Sequence, residues 1–177
     1  MREAHSTFRE GLVSGLIGAI AVAAWYFVID AAAGRPFHTP NVLGKIFFRG
    51  DVTPEVQTIV PAAVAAYTVV HVLMFVLAGL GLALLAHMAS RDLGLRMGIW
   101  IGLVVSWSFF AGVTYTVVML SGERLPLWTI ILGSLLGAGV MAAYLWRRHP
   151  RLAEPFQEGS QSARMEAPPH PPGRPRA

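Results

Sequence analysis

The chain has no cysteine, which removes disulfides, thiolate metal sites and cysteine nucleophiles together. Lysine is almost missing as well: of the 14 basic residues only Lys45 is not arginine, a bias read as genomic composition. Charge of either sign is scarce, at 14% of 177 residues, against roughly a quarter in soluble domains. Metalloprotease spacing, glycine-rich phosphate loops and Ser/His/Asp signatures are missing as motifs. No residue is therefore assigned a catalytic role, and no metal ligand set or cofactor is expected.

What fills the chain instead is apolar sequence. Between Gly11 and Gly34 the only charged residue is Asp30, and Val56 to Ser90, Met97 to Gly122 and Leu125 to Trp146 contain none. Each stretch reaches the roughly 20 residues that a helix needs to cross about 30 Å of hydrocarbon. Lipid offers backbone groups no partners, so each is expected to be helical. The fold class expected is all-α: an integral membrane four-helix bundle in a lipid bilayer. Its helices are placed at about 11–33, 59–86, 96–120 and 125–146, within a transmembrane domain spanning 11–148. A cleaved signal peptide fits the first segment less well, because Leu12 to Ile29 exceeds the usual apolar core of about 7–15 residues.

Residues 1–10 form a short polar N-terminus. Residues 149–177 carry seven of the twelve prolines and are expected to be a disordered tail. The first loop is the longest. Thr39 before Pro40 reads as a helix cap followed by proline in the first position, and Thr53-Pro54-Glu55 repeats the signal. After Pro40, Val42, Leu43, Ile46 and Phe47 share one face while Asn41, Lys45 and Arg49 lie towards the other. That pattern predicts a short interfacial helix lying in the headgroup plane. Pro61 marks either a kink or the point of membrane entry. Trp128 and Trp146 bracket the fourth segment like an aromatic girdle.

Orientation follows from counting arginine and lysine. The N-terminus, second loop and tail hold 10, and the first and third loops hold 4. With the tail limited to Arg147, Arg148 and Arg151 the balance is 7 to 4. Both termini are expected in the cytoplasm. The same placement explains the net charge of +4 without nucleic acid as a partner.

Glycines four apart recur at Gly11 and Gly15, Gly98 and Gly102, and Gly133 and Gly137. They suit close backbone approach, either inside one tight bundle or in a homodimer. The first and third segments also share an aromatic cluster after their glycine pair (Trp25-Tyr26-Phe27 and Trp107-Ser108-Phe109-Phe110). A duplicated hairpin would explain that.

Ionisable groups in apolar spans are costly and are candidates for function. Asp30 is expected near the outer end of the first segment, pairing with Arg35 or capping the chain's exit. His71 lies deeper, with Tyr67 and Thr68 one turn before it as a polar stripe pointing into the bundle. Ser106, Ser108 and Ser134 fall at similar depth and are expected to form a layer with it. Haem is rejected, since His71 has no second histidine at its depth within the chain.

The stretch from Trp25 to Asp30, with Gly34-Arg35-Pro36-Phe37-His38-Thr39-Pro40 and Leu43-Gly44, resembles a segment of uncharacterised small four-helix bacterial inner-membrane proteins. It covers roughly 20 of the 177 residues. The resemblance implies a bacterial inner membrane and carries over no activity. The function expected is a non-enzymatic accessory or interaction module whose loop 35–55 meets a membrane-complex partner. A small oligomeric transporter or proton conductor using His71, Tyr67 and Asp30 is the alternative, and a membrane redox enzyme ranks last.

Overall fold

A computed structural model describes residues 2–51, 58–89, 96–120 and 126–149. Five helices account for nearly all of them: α1 (Arg2–Ala32), α2 (His38–Arg49), α3 (Pro61–Ala89), α4 (Arg96–Leu120) and α5 (Leu127–Arg148). Four of these contain segments long and apolar enough to cross a membrane, namely Thr7–Ala32, Pro61–Ala89, Gly98–Thr116 and Leu127–Arg148. The tail from residue 150 and the Thr53-Pro54-Glu55 motif lie outside the described residues.

Helix limits depart from expectation where local chemistry overrides hydropathy. α1 begins at Arg2, about nine residues before the apolar run. Residues 2–10 contain no glycine or proline, so nothing stops the helix from extending beyond the apolar run. α3 starts at Pro61, because proline is pre-set for a first helical turn and lacks only an N–H that would be unpaired there, and α5 starts just after Pro126, whose carbonyl accepts from the Thr129 N–H.

The long helices form a ring in which α1 packs on α3 and α5, and α4 closes the far side against the same two. Neighbours run antiparallel. Gly11 of α1 meets Leu80 of α3, whereas Gly18 meets Phe75. Ala86 and Ala89 at the end of α3 pack on Ile99 at the start of α4. Val118 near the end of α4 packs on Ile130 at the start of α5. At the termini-bearing end His149 sits 2.9 Å from Glu10, tying the end of α5 to α1. His149, expected at the head of the tail, instead follows α5 directly and donates its N–H to Leu145 O.

Small residues set the α1–α3 spacing. Gly79 fits the notch between Gly11 and Gly15, and a Cβ on Gly15 would lie 2.5 Å from Val76 Cα. Gly133 and Gly137 of α5 receive Trp25, Val22 and Phe75. Gly98 and Gly102 behave differently. Among the described residues, a Cβ on Gly98 would meet nothing within 4 Å beyond its own helix and one on Gly102 would meet only leucine side chains, so this pair makes no backbone crossing there.

The core is thin: Ala19, Val22, Phe75, Leu82, Ala83, Met141 and Leu145. The outer surface is as apolar as the interior, with Ile20, Val69, Leu84, Ile101 and Leu135 all more than half exposed. Tryptophan pairs mark both ends of the ring. Trp25 meets Trp128 edge-on at 6.3 Å, and Trp100 meets Trp146 at 5.0 Å.

Candidate functional site

The chain leaves α1 through two left-handed residues, Gly34 at φ 71° and Phe37 at φ 65°. This tight turn starts α2 at His38, so Phe37 occupies the cap position expected for Thr39. Thr39 lies in the first turn of α2. Its N–H donates to Asp30 Oδ2 at 2.7 Å and its hydroxyl to Asp30 Oδ1 at 2.8 Å. The Asp30 side chain thus acts as a helix cap reaching over from α1, with its negative charge set against the positive end of the α2 dipole. It is 4% exposed. Arg35 is exposed, and among the described residues no ion pair joins it to Asp30. Asp30 therefore caps the start of α2.

Two of the three polar-face residues of α2 are also buried, while Arg49 is exposed. Asn41 is 0% exposed and Lys45 3%. Asn41 donates to Thr58 O and accepts from Val60 N–H, while Lys45 Nζ donates to Thr58 O at 2.7 Å. Gly44 lets the helix press against Ala63. The expectation of a helix with its polar face among headgroups is therefore overturned. The carbonyl and amide ahead of Pro61 have no intrahelical partner, and Asn41 and Lys45 supply the missing hydrogen bonds. Exposed on the free side are Phe47, Phe48 and Arg49.

Deeper in the ring, His71 Nε2 lies 3.2 Å from the Ala19 carbonyl of α1. A carbonyl only accepts, so Nε2 carries the hydrogen. The imidazole makes tilted ring contacts with Tyr67 and Phe75, centroids 5.8 and 4.8 Å away, and Phe75 stacks on Phe110 of α4 at 4.5 Å. The serine layer does not assemble around it. Ser134 bonds the carbonyls of Ile130 and Ile131 in its own helix, Ser106 is half-buried and Ser108 is exposed. Thr68 points outward and donates to Val64 O. Replacing His71 with phenylalanine keeps a ring beside Tyr67 and Phe75 and removes one interhelical bond. The expected loss is about 0.6–1 kcal/mol, read from unfolding in mixed micelles.

Two cavities share the wall made by Tyr26, Tyr67 and His71. One, of about 210 Å³, lies within the ring and reaches Phe109, Phe110, Ile130 and Ser134. The other, of about 430 Å³, is a groove between α1 and α3 roofed by Phe37, Thr39 and Pro40, with Asp30 at its edge. Sequence reasoning named Asp30, Tyr67 and His71 but missed Tyr26, which stands one helical turn before Asp30. Among the described residues no group of three or more His, Asp or Glu is placed to hold a metal ion. Comparison of the chain with protein-family models, with curated protein sequences and with solved structures gives no match in any of the three.

Proposed function

We propose that the chain is a small non-enzymatic protein of the bacterial inner membrane, with both termini in the cytoplasm and α2 on the outer side as the contact surface for a membrane-complex partner. Four antiparallel apolar helices and the arginine count support the orientation. The bacterial setting rests on the resemblance of the segment from Trp25 to Gly44. The observation that carries the contact reading is how α2 is held. Asp30, Asn41 and Lys45 fasten its polar side to α1 and the start of α3, so that Phe47, Phe48 and Arg49 are presented from a rigid mount. Aromatic residues and arginine on a pre-organised surface are the residues that dominate protein contacts. A photo-crosslinking residue at position 48 in native membranes is expected to give a discrete protein adduct. The same residue at Val69, on the apolar outer wall, is expected to give none. Lipid adducts alone at both positions would overturn the reading.

A second reading, as a small transporter, rests on Asp30, Tyr67 and His71 lining one groove. Reconstituted His71→Ala and Asp30→Asn variants with flux equal to wild type would remove it.

A further inference from the structure

We propose that the groove between α1 and α3 binds a lipophilic organic cation, held by the Asp30 carboxylate and the aromatic rings around it. The groove's volume of about 430 Å³ falls in the range of small-molecule sites, which run to roughly 300–1,000 Å³. Its walls combine Tyr26, Phe27, Phe37, Tyr67 and His71 with Asp30. Phe27 and Phe37 pack as a tilted pair at 5.4 Å, and Tyr67 and His71 as another at 5.8 Å, so ring surface comes from α1, the turn before α2, and α3.

Charge decides the class of ligand. Among the described residues Asp30 is the only Asp, Glu, Lys or Arg lining the groove. Its two hydrogen bonds both come from Thr39, one to each oxygen. An ionised carboxylate offers about four acceptor positions, so each oxygen keeps one unused. No cationic side chain pairs with it among the described residues. The α2 terminus offsets only part of a full negative charge. The other titratable groups on the walls are Tyr26, Tyr67 and His71, and the two tyrosine faces favour a cation further. An anion meets repulsion here, and a neutral lipid leaves the carboxylate uncompensated. The proposal takes up the groove of the transport reading but concerns occupancy alone. It is tested by binding, so its failure is separate from an absence of flux and from the fate of the α2 contact surface.

The test uses the full chain in nanodiscs with radiolabelled tetraphenylphosphonium, and tetraphenylborate as the anion of like shape. Saturable binding of the phosphonium, without competition from the borate, is expected. Asp30→Asn keeps an oxygen for Thr39 but loses the charge, and is expected to weaken binding about tenfold or more. Tyr67→Leu and Phe27→Leu remove ring surface and are expected to weaken it several-fold, whereas Leu135→Ala on α5 leaves it unchanged. Absence of saturable binding overturns the proposal, as does equal binding of the borate or an unaltered affinity in Asp30→Asn. If Asp30→Asn does not fold, unaltered affinity in both aromatic variants overturns it.

Discussion

Gly79→Val is expected to destabilise the bundle by more than about 3 kcal/mol, beyond the roughly 1–3 kcal/mol usual for overpacking. The reason is what the new side chain meets. A Cβ at Gly79 enters the backbone of α1 at Gly11 and Gly15, and backbone has no rotamer by which to yield. The helices would have to separate along the crossing, taking Ala19, Val22 and Phe75 out of contact. Gly98→Val is the matched control, since among the described residues a Cβ there would meet nothing within 4 Å beyond its own helix. Its expected change is within about 0.5 kcal/mol. Helicity followed through an SDS titration in mixed micelles checks both. Equal losses in the two variants would mean that glycine matters for its backbone alone and not for the crossing.

Asp30→Ala is expected to cost about 3 kcal/mol, from two hydrogen bonds to a charged group at about 1.5 kcal/mol each, one of which is the cap itself. Removing the carboxylate leaves the Thr39 N–H and hydroxyl without their acceptor in a site that is 3% exposed. The damage is expected to be local. Amide exchange across residues 38–49 should accelerate, while the middle of α3 stays protected. Thr39→Ala alone loses the hydroxyl bond and keeps the N–H bond. The double mutant should therefore fall short of additivity by about 1 kcal/mol or more. Full additivity would show that the two residues do not act as one cap.

Both effects bear on how much of the molecule the amino-acid pattern reveals. Apolar length located all four long helices, because a run without charge is a direct statement about the solvent it suits. Helix ends were less legible. Arg2 to Glu10 is polar yet helical, since the apolar run alone does not say where a helix stops. Glycine spacing marked Gly11 and Gly15 as suited to close approach without naming the helix they meet, and marked Gly98 and Gly102 equally. Spacing records that backbones are able to approach, and only the partner's position decides whether they do. The amphipathic reading of α2 failed for a related reason. Asn41 and Lys45 looked solvated, but the unpaired groups at Thr58 and Val60 sit beside them in space at a distance that sequence alone does not show.

The candidate site was half legible. Asp30 and His71 stand out in any scan for ionisable residues in apolar sequence. Their partners did not. Asp30 uses Thr39 in place of Arg35, and His71 uses the Ala19 carbonyl in place of serine hydroxyls. A main-chain carbonyl leaves no signature in residue type, and every serine near the required depth was an equal contender until the helices were rotated into place. Tyr26 was passed over because an aromatic in a membrane helix is unremarkable by itself. It matters through its neighbours, standing in the wall shared by both cavities with Tyr67 and His71.

Underlying all of this is the claim that four helices cross a bilayer and return the chain to the side where it began. The natural absence of cysteine makes the direct measurement simple, because single cysteines introduced at Ser6, Gly50, Gly122 and Ser160 are labelled without background. With a membrane-impermeant maleimide on intact and opened cells, Ser6 and Ser160 are expected to react from one side, and Gly50 and Gly122 from the other. Labelling of Ser6 and Ser160 from opposite sides, or of Gly50 together with Ser6, would contradict the account.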